Sequence, residues 1–325
     1  MDLMARSIAF GAAALCAATM GYAIQRGATC TVAAVDEIVT QRGASRLVAL
    51  LEASLWVAVG LAIAQRLGWI AQLPMAYGLT GWTIAGAALL GLGAWIAGAC
   101  VFGAIARLGS GEWAYLATPV GFYLGCASAA RLFCAAAPQA RAAGVEPNAA
   151  PTPLVIALAA FFVWRALRLA WRRAWTPHAA TLVIGAAFAV LLVLAGTWAY
   201  TDVLAELARG TVRGVATRGL LVLGLLGGAI AGGWRAGRLH WQPPTLRALV
   251  RCLAGGALMG WGSLLIPGSN DGLILVGMPL LRPYAWAAFA TMCLVIAAAG
   301  ALQRCVPARA SRIDACADGC GLTSE

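Results

Sequence analysis

The chain has 325 residues, of which 62% are hydrophobic and only 11% charged, and its mean hydropathy is +0.83. Soluble domains carry about a quarter charged residues, so a water-soluble globule is excluded. Apolar runs of about 20 residues, instead of ~10-residue alternating segments, exclude a membrane barrel. The net charge of +11 comes from arginines at the ends of apolar runs, with no lysine anywhere. That pattern reads as topology anchoring, not as a nucleic-acid surface.

In chain order, the first run, Leu3 to Ile24, resembles a signal peptide, but no strong cleavage signal follows and later runs are equally apolar. It is read as an uncleaved span. The polar break Gln25-Arg26-Gly27-Ala28-Thr29-Cys30-Thr31 comes next, too short for a domain and placed between two spans. Three more spans follow: Leu47 to Ala64, Thr80 to Ala97 and Trp113 to Ala130. Between the last two lies a second insert, Val101 to Gly111. Both inserts are too short to cross and too apolar for solvated loops, so each is expected to dip in as a half-helix and return.

From Ala135 to Pro153 the composition shifts to Ala, Pro, Gly and Asn, which marks a linker. A fifth run, Leu154 to Leu169, spans only if Arg165, Arg168, Arg172 and Arg173 snorkel. After the helix-start signal Thr176-Pro177 come Ala179 to Trp198, Val215 to Trp234, Leu246 to Ile266 and Tyr284 to Leu302. Inserts at Tyr200 to Leu207 and Pro267 to Ile274 interrupt them.

The second half thus repeats the first at a shift of about 170 residues, with Cys30-Thr31 near Tyr200-Thr201 and Cys100 to Gly103 on Ser269 to Gly272. The extra fifth span inverts one half relative to the other, an arrangement that puts a site near the midplane. The expected fold is an all-α integral membrane protein with about nine transmembrane helices and four short re-entrant helices in two inverted repeats. Its regions are a first repeat over 1–134, linker and extra span over 135–176, a second repeat over 177–304 and a tail over 305–325. Counted on alternate sides of nine spans, 15 arginines fall on the side of the Cys30 and Cys100 inserts and 8 on the other. The positive-inside rule then puts the N-terminus outside and the C-terminus in the cytoplasm.

Of the ten cysteines, Cys16, Cys126, Cys252 and Cys293 lie inside apolar runs as packing residues. Cys30 and Cys100 sit at breaks. Cys316 and Cys320 lie in a polar tail without a matching second pair, and His178 and His240 stand alone in the sequence, so neither a metal nor a cofactor is expected. Glu52, in the second span, is expected to face protein because lipid exposure is costly. Glycines at 91, 93, 256, 260 and 262 are expected to allow close helix packing.

The motifs Gln25 to Cys30, Gly98-Ala99-Cys100-Val101-Phe102-Gly103, Gly255 to Gly260 and Gly268-Ser269-Asn270-Asp271-Gly272 resemble, in order and spacing, the YeeE/YedE family of sulfur-compound transporters. The resemblance implies a bacterial inner-membrane importer of thiosulfate. It implies re-entrant cysteines that touch the passing ion, and in some members a TusA-like sulfur carrier on the cytoplasmic side. Cys30 and Cys100 match two functional cysteines of that family, and Ser269 stands where a third is expected. Candidate pathway residues are Cys30, Cys100, Ser269, Arg26, Thr31, Asn270 and Tyr200, with Arg26 also readable as a topology anchor. The expected partners are a sulfur anion and the lipid bilayer, with no nucleic acid. A membrane-embedded thiol enzyme and a docking protein for a soluble sulfur carrier are the alternatives to transport.

Overall fold

The computed structural model describes residues 3–70, 73–132, 140–141, 152–171, 175–211, 214–266 and 268–318. Most of the linker from Ala135 to Pro153 lies outside the described residues, as do Cys320 and the side chain of Cys316. The chain is helical almost throughout, because backbone in hydrocarbon must satisfy its own hydrogen bonds.

The first half contains α1 (Leu3–Arg26), α2 (Thr31–Gln41), α3 (Ser45–Arg66), α4 (Gly81–Ala97), α5 (Val101–Gly109) and α6 (Ala117–Leu132). Then come α7 (Thr152–Trp171), α8 (Pro177–Ala195), α9 (Tyr200–Arg209), α10 (Val215–Arg235), α11 (Leu246–Leu265) and α12 (Asn270–Gly272). The last of these widens into a π-helical stretch, Leu273–Gly277, before α13 (Pro283–Asp318) closes the bundle. A two-residue ribbon pairs β1 (Ala76–Tyr77) with β2 (Ala140–Arg141), antiparallel.

Among the described residues, seven segments are long and apolar enough to cross a membrane: Ser7–Gln41, Ser45–Arg66, Gly81–Gly109, Pro177–Ala195, Val215–Arg235, Leu246–Leu265 and Pro283–Cys305. The protein is therefore an all-α multi-pass membrane protein. Two runs read as spans from the sequence fall outside this set. One is α6, only 16 residues long; the other is α7, whose last residues carry no described side chains.

Helix starts and stops follow local chemistry. Thr80, Thr176 and Thr245 each accept a backbone N–H three residues on, capping α4, α8 and α11. Gly98 ends α4 at φ +73, a conformation that suits glycine. Packing then relies on small residues, as membrane helices require. A methyl on Gly93 would lie 2.5 Å from the Gly255 carbonyl, so α4 and α11 touch backbone to backbone. Gly256 and Gly260 press in the same way on Thr118 and Phe122 of α6.

The long helices pack as α1 with α8 and α10, α3 with α8, α4 with α11 and α13, and α6 with α11. Exchanging α1 for α8, α3 for α10, α4 for α11 and α6 for α13 returns the same set of pairs. Several short-helix contacts follow the exchange, α2 packing on α13 as α9 packs on α6, and α5 on α10 as Leu273–Gly277 on α3, whereas α5 also packs on α1.

Glu52 is half-buried and faces protein. Its carboxylate accepts from Arg165 Nη2 at 3.2 Å and lies 2.8 Å from His178 Nδ1, tying α3 to α7 and α8. His178 is thus not solitary in space; its other nitrogen lies 3.3 Å from Ser45 Oγ.

Candidate functional site

Four short helices begin in the interior of the bundle, and their first turns meet. The residue before each start is extended: Cys30 (φ −158, ψ 127), Cys100 (φ −75, ψ −179), Ala199 (φ −137, ψ 148) and Ser269 (φ −91, ψ −173). None of the four makes a side-chain cap. The first N–H groups of a helix have no intrahelical acceptor, and the dipole end is positive. Four starts that lack a cap from their own preceding residue therefore meet at a place suited to an anion, although the Thr31 N–H already donates to Cys100 Sγ and the Gly272 N–H to Asp271 Oδ1.

Cys30 to Ala199 and Cys100 to Ser269 are both 169 residues apart. The residues before α2 and α9 are thus as far apart as those before α5 and α12, with Ala199 one residue before the Tyr200 of the sequence match. A thiol precedes α2 and α5, a methyl precedes α9 and a hydroxyl precedes α12.

Direct bonds join the four starts. The Thr31 N–H donates to Cys100 Sγ at 3.2 Å, linking α2 to α5. Asn270 Nδ2 donates to Thr31 Oγ1 at 3.1 Å, linking α12 to α2. The Tyr200 hydroxyl donates to the Val101 carbonyl at 2.9 Å, and Thr201 Oγ1 lies 2.7 and 2.8 Å from the two oxygens of Asp271. Thr31, Cys100 and Asn270 are fully buried. Ser269 Oγ and Asn270 Oδ1 are buried and have no hydrogen-bond partner among the described residues, so a donor and an acceptor are left for something else.

Two vestibules border this neck. One has a volume of about 1190 Å³ and is lined by Cys30, Gln25, Ser110 and six arginines: Arg46, Arg107, Arg238, Arg247, Arg251 and Arg304. Its carboxylates are Asp36 and Glu112, the latter paired with Arg107 at 2.9 Å. The other, of about 740 Å³, is lined by Ser269, Thr201, Asp202, Glu206, Arg209, Tyr77 and Tyr284. The first is strongly basic and the second close to neutral. Cys30 closes the floor of the basic vestibule against Gly103, where a methyl would lie 2.5 Å from its sulfur.

Six of the seven candidate residues thus come together: Cys30, Cys100, Thr31, Asn270, Ser269 and Tyr200. Arg26 does not join them. Its guanidinium sits 5.8 Å over the Trp175 ring and lines neither vestibule, which fits its reading as an anchor. Sequence reasoning did not single out Thr201 and Asp271 as a pair, nor the arginine lining, whose members lie up to 258 positions apart between Arg46 and Arg304. Among the described residues no group of three or more His, Cys, Asp or Glu gathers as a metal site. Cys126 and Cys252 are buried outside both vestibules, with Cys126 Sγ donating to the Gly260 carbonyl at 3.5 Å.

A family model described as sulphur transport, that of the YeeE/YedE family, matches residues 26–298. No curated protein matches the chain.

Proposed function

Because the chain belongs to the sulphur-transport family, YeeE/YedE, we propose that it is a bacterial inner-membrane importer of a sulfur oxyanion, thiosulfate foremost. The observation that carries this reading is the convergence of four helix starts, none capped by its own preceding residue, at a neck bordered by two vestibules. An oxyanion entering hydrocarbon loses its hydration and needs many donors in return. The first-turn N–H groups not bonded within the protein, the Ser269 hydroxyl and weakly donating thiols supply them without a single deep well, which favours passage over capture. The ion passes Ser269 and Asn270, then Thr31 and Cys100, and leaves along Cys30 into the arginine-lined vestibule, whose positive potential draws it on.

The reading includes nine spans, four re-entrant helices and two inverted repeats. The exchange symmetry of the helix pairs and the common separation of the caps support it. Nine alternating spans also put every segment lining the Cys30 vestibule on one side and every segment lining the Ser269 vestibule on the other. By the arginine count the Cys30 side is cytoplasmic, with the N-terminus periplasmic. That basic mouth is where a TusA-like carrier would receive the ion.

The test is uptake of labelled thiosulfate by vesicles containing the full chain and no electron donor, with sulfite, sulfate and selenium oxyanions as competitors. Saturable uptake that thiosulfate competes best is expected. Uptake that appears only when a reductant is supplied would replace the transporter with a thiol enzyme.

A further inference from the structure

The pathway leaves one group at the neck without a use, Asp271. Its side chain is 2% exposed. Both of its oxygens lie within hydrogen-bond reach of a single hydroxyl, Thr201 Oγ1, at 2.7 and 2.8 Å, and Oδ1 also accepts the Gly272 N–H at 3.0 Å. A hydroxyl carries one hydrogen and two lone pairs. Two such short contacts are both satisfied when the carboxyl holds a proton of its own, with Thr201 donating to one oxygen while the other oxygen donates to Thr201.

Among the described residues no cation is paired with Asp271, although buried Arg282 keeps two guanidinium nitrogens unpartnered and Arg209 and Arg218 act on neighbouring Asp202. From α9, Asp271 meets Tyr200, Thr201 and Asp202, and Glu206 one turn on is ion-paired with Arg218. Arg209 ends the same helix with its Nε on the Ala205 carbonyl. α5 contributes Cys100, and α2 contributes Thr31 through Asn270. On α3, Ser54 bonds the Ile274 carbonyl, and near the start of α13 Arg282 bonds the Pro74 carbonyl with Tyr284 close by. Among the described residues no ion pair involves Asp271. Asp202, its acidic neighbour, lines the vestibule beside Ser269 and Thr201. Two ionised carboxylates there would repel the ion that must pass, whereas neutral ones would not.

Resting on the transport reading above, we infer that this protein also moves protons: Asp271, with Thr201 as its hydroxyl partner and Asp202 at the vestibule wall, carries a proton through the neck in the same direction as the anion. One carboxylate oxygen takes the proton from water of the Ser269 vestibule. The anion crosses while the site is neutral. The O–H bond then breaks and the proton leaves to water of the Cys30 vestibule, with no electrons transferred. The positive charge moved with the anion offsets part of the opposition of a negative-inside membrane potential.

The experiment uses the full chain in sealed vesicles with thiosulfate as the probe, the membrane potential clamped by a potassium ionophore and a trapped pH dye. A thiosulfate gradient alone is expected to acidify the receiving side, and acid on the donor side is expected to raise uptake severalfold. Asp271→Asn moves no protons with whatever thiosulfate it still carries, and its uptake is flat with pH. Asp271→Glu recovers proton movement. If Asp271→Asn does not fold, Thr201→Val serves instead, with a shifted pH profile expected. Downhill thiosulfate uptake by the wild type without proton movement, or with proton movement kept in Asp271→Asn, overturns the inference while transport stands. Absence of any uptake by the wild type overturns the transport reading and this inference with it.

Discussion

Cys100 separates a thiol that guides an ion from one that merely fills space. Its sulfur is fully buried and accepts the Thr31 N–H at 3.2 Å. In Cys100→Ala that N–H is orphaned, which costs ~1–3 kcal/mol, and the emptied sulfur site adds roughly 1 kcal/mol. Folded Cys100→Ala protein should therefore fall, and lost uptake in that variant proves little. Cys100→Ser keeps an acceptor for Thr31 while removing the thiol, so its stability should drop by only about 1 kcal/mol. The hydroxyl is a stronger donor and would hold an oxyanion too tightly where successive weak sites serve flux. Uptake per folded molecule should fall at least about tenfold, equivalent to a barrier higher by about 1.4 kcal/mol. The assay is gel filtration for the folded fraction together with labelled thiosulfate uptake, with Cys126→Ala as a control that keeps its rate. Wild-type uptake per folded molecule in Cys100→Ser would refute the reasoning and leave Cys100 as an acceptor for α2 alone.

Ser269→Cys should keep transport, whereas Ser269→Leu should abolish it, because the 1%-exposed site leaves the added carbons only the neck to enter; unchanged uptake in Ser269→Leu would move this residue out of the path. Gly103→Ala puts a methyl 2.5 Å from Cys30 Sγ and 3.1 Å from the Ala99 methyl, a clash costing about 1–3 kcal/mol. Cys30→Ala should recover part of that loss in the melting temperature of the double variant, and strict additivity would show that the two do not touch. Reporter fusions at Met1 and Glu325 should fall on opposite faces of the membrane, Met1 outside; a shared face would break the nine-span alternation.

Composition and the length of the apolar runs determined the class of the molecule by themselves, because the solvent leaves only helices or barrels to choose from. Breaks at Arg26-Gly27, Gly98 and Gly268 likewise announced where the short helices begin, since an apolar run must stop before its chain can turn. The sequence also pointed to Cys30, Cys100 and Ser269, which prove to be the residues immediately before three of those helices. It brought Cys30 only near Tyr200, because similarity between glycine-rich segments carries no exact register, whereas hydrogen bonding fixes where α9 starts, after Ala199. Arg26 shows the opposite limit: its neighbours in sequence line the Cys30 vestibule, yet its guanidinium turns toward Trp175, a choice made by a residue just before α8, more than a hundred positions away. Thr201 with Asp271, Thr31 with Cys100 and the six arginines around one vestibule are likewise decided only by packing. Their partners lie 70, 69 and up to 258 positions apart, and no local pattern in the chain encodes which helix ends will share a neck until the glycine faces of α4, α6 and α11 have brought the two halves together.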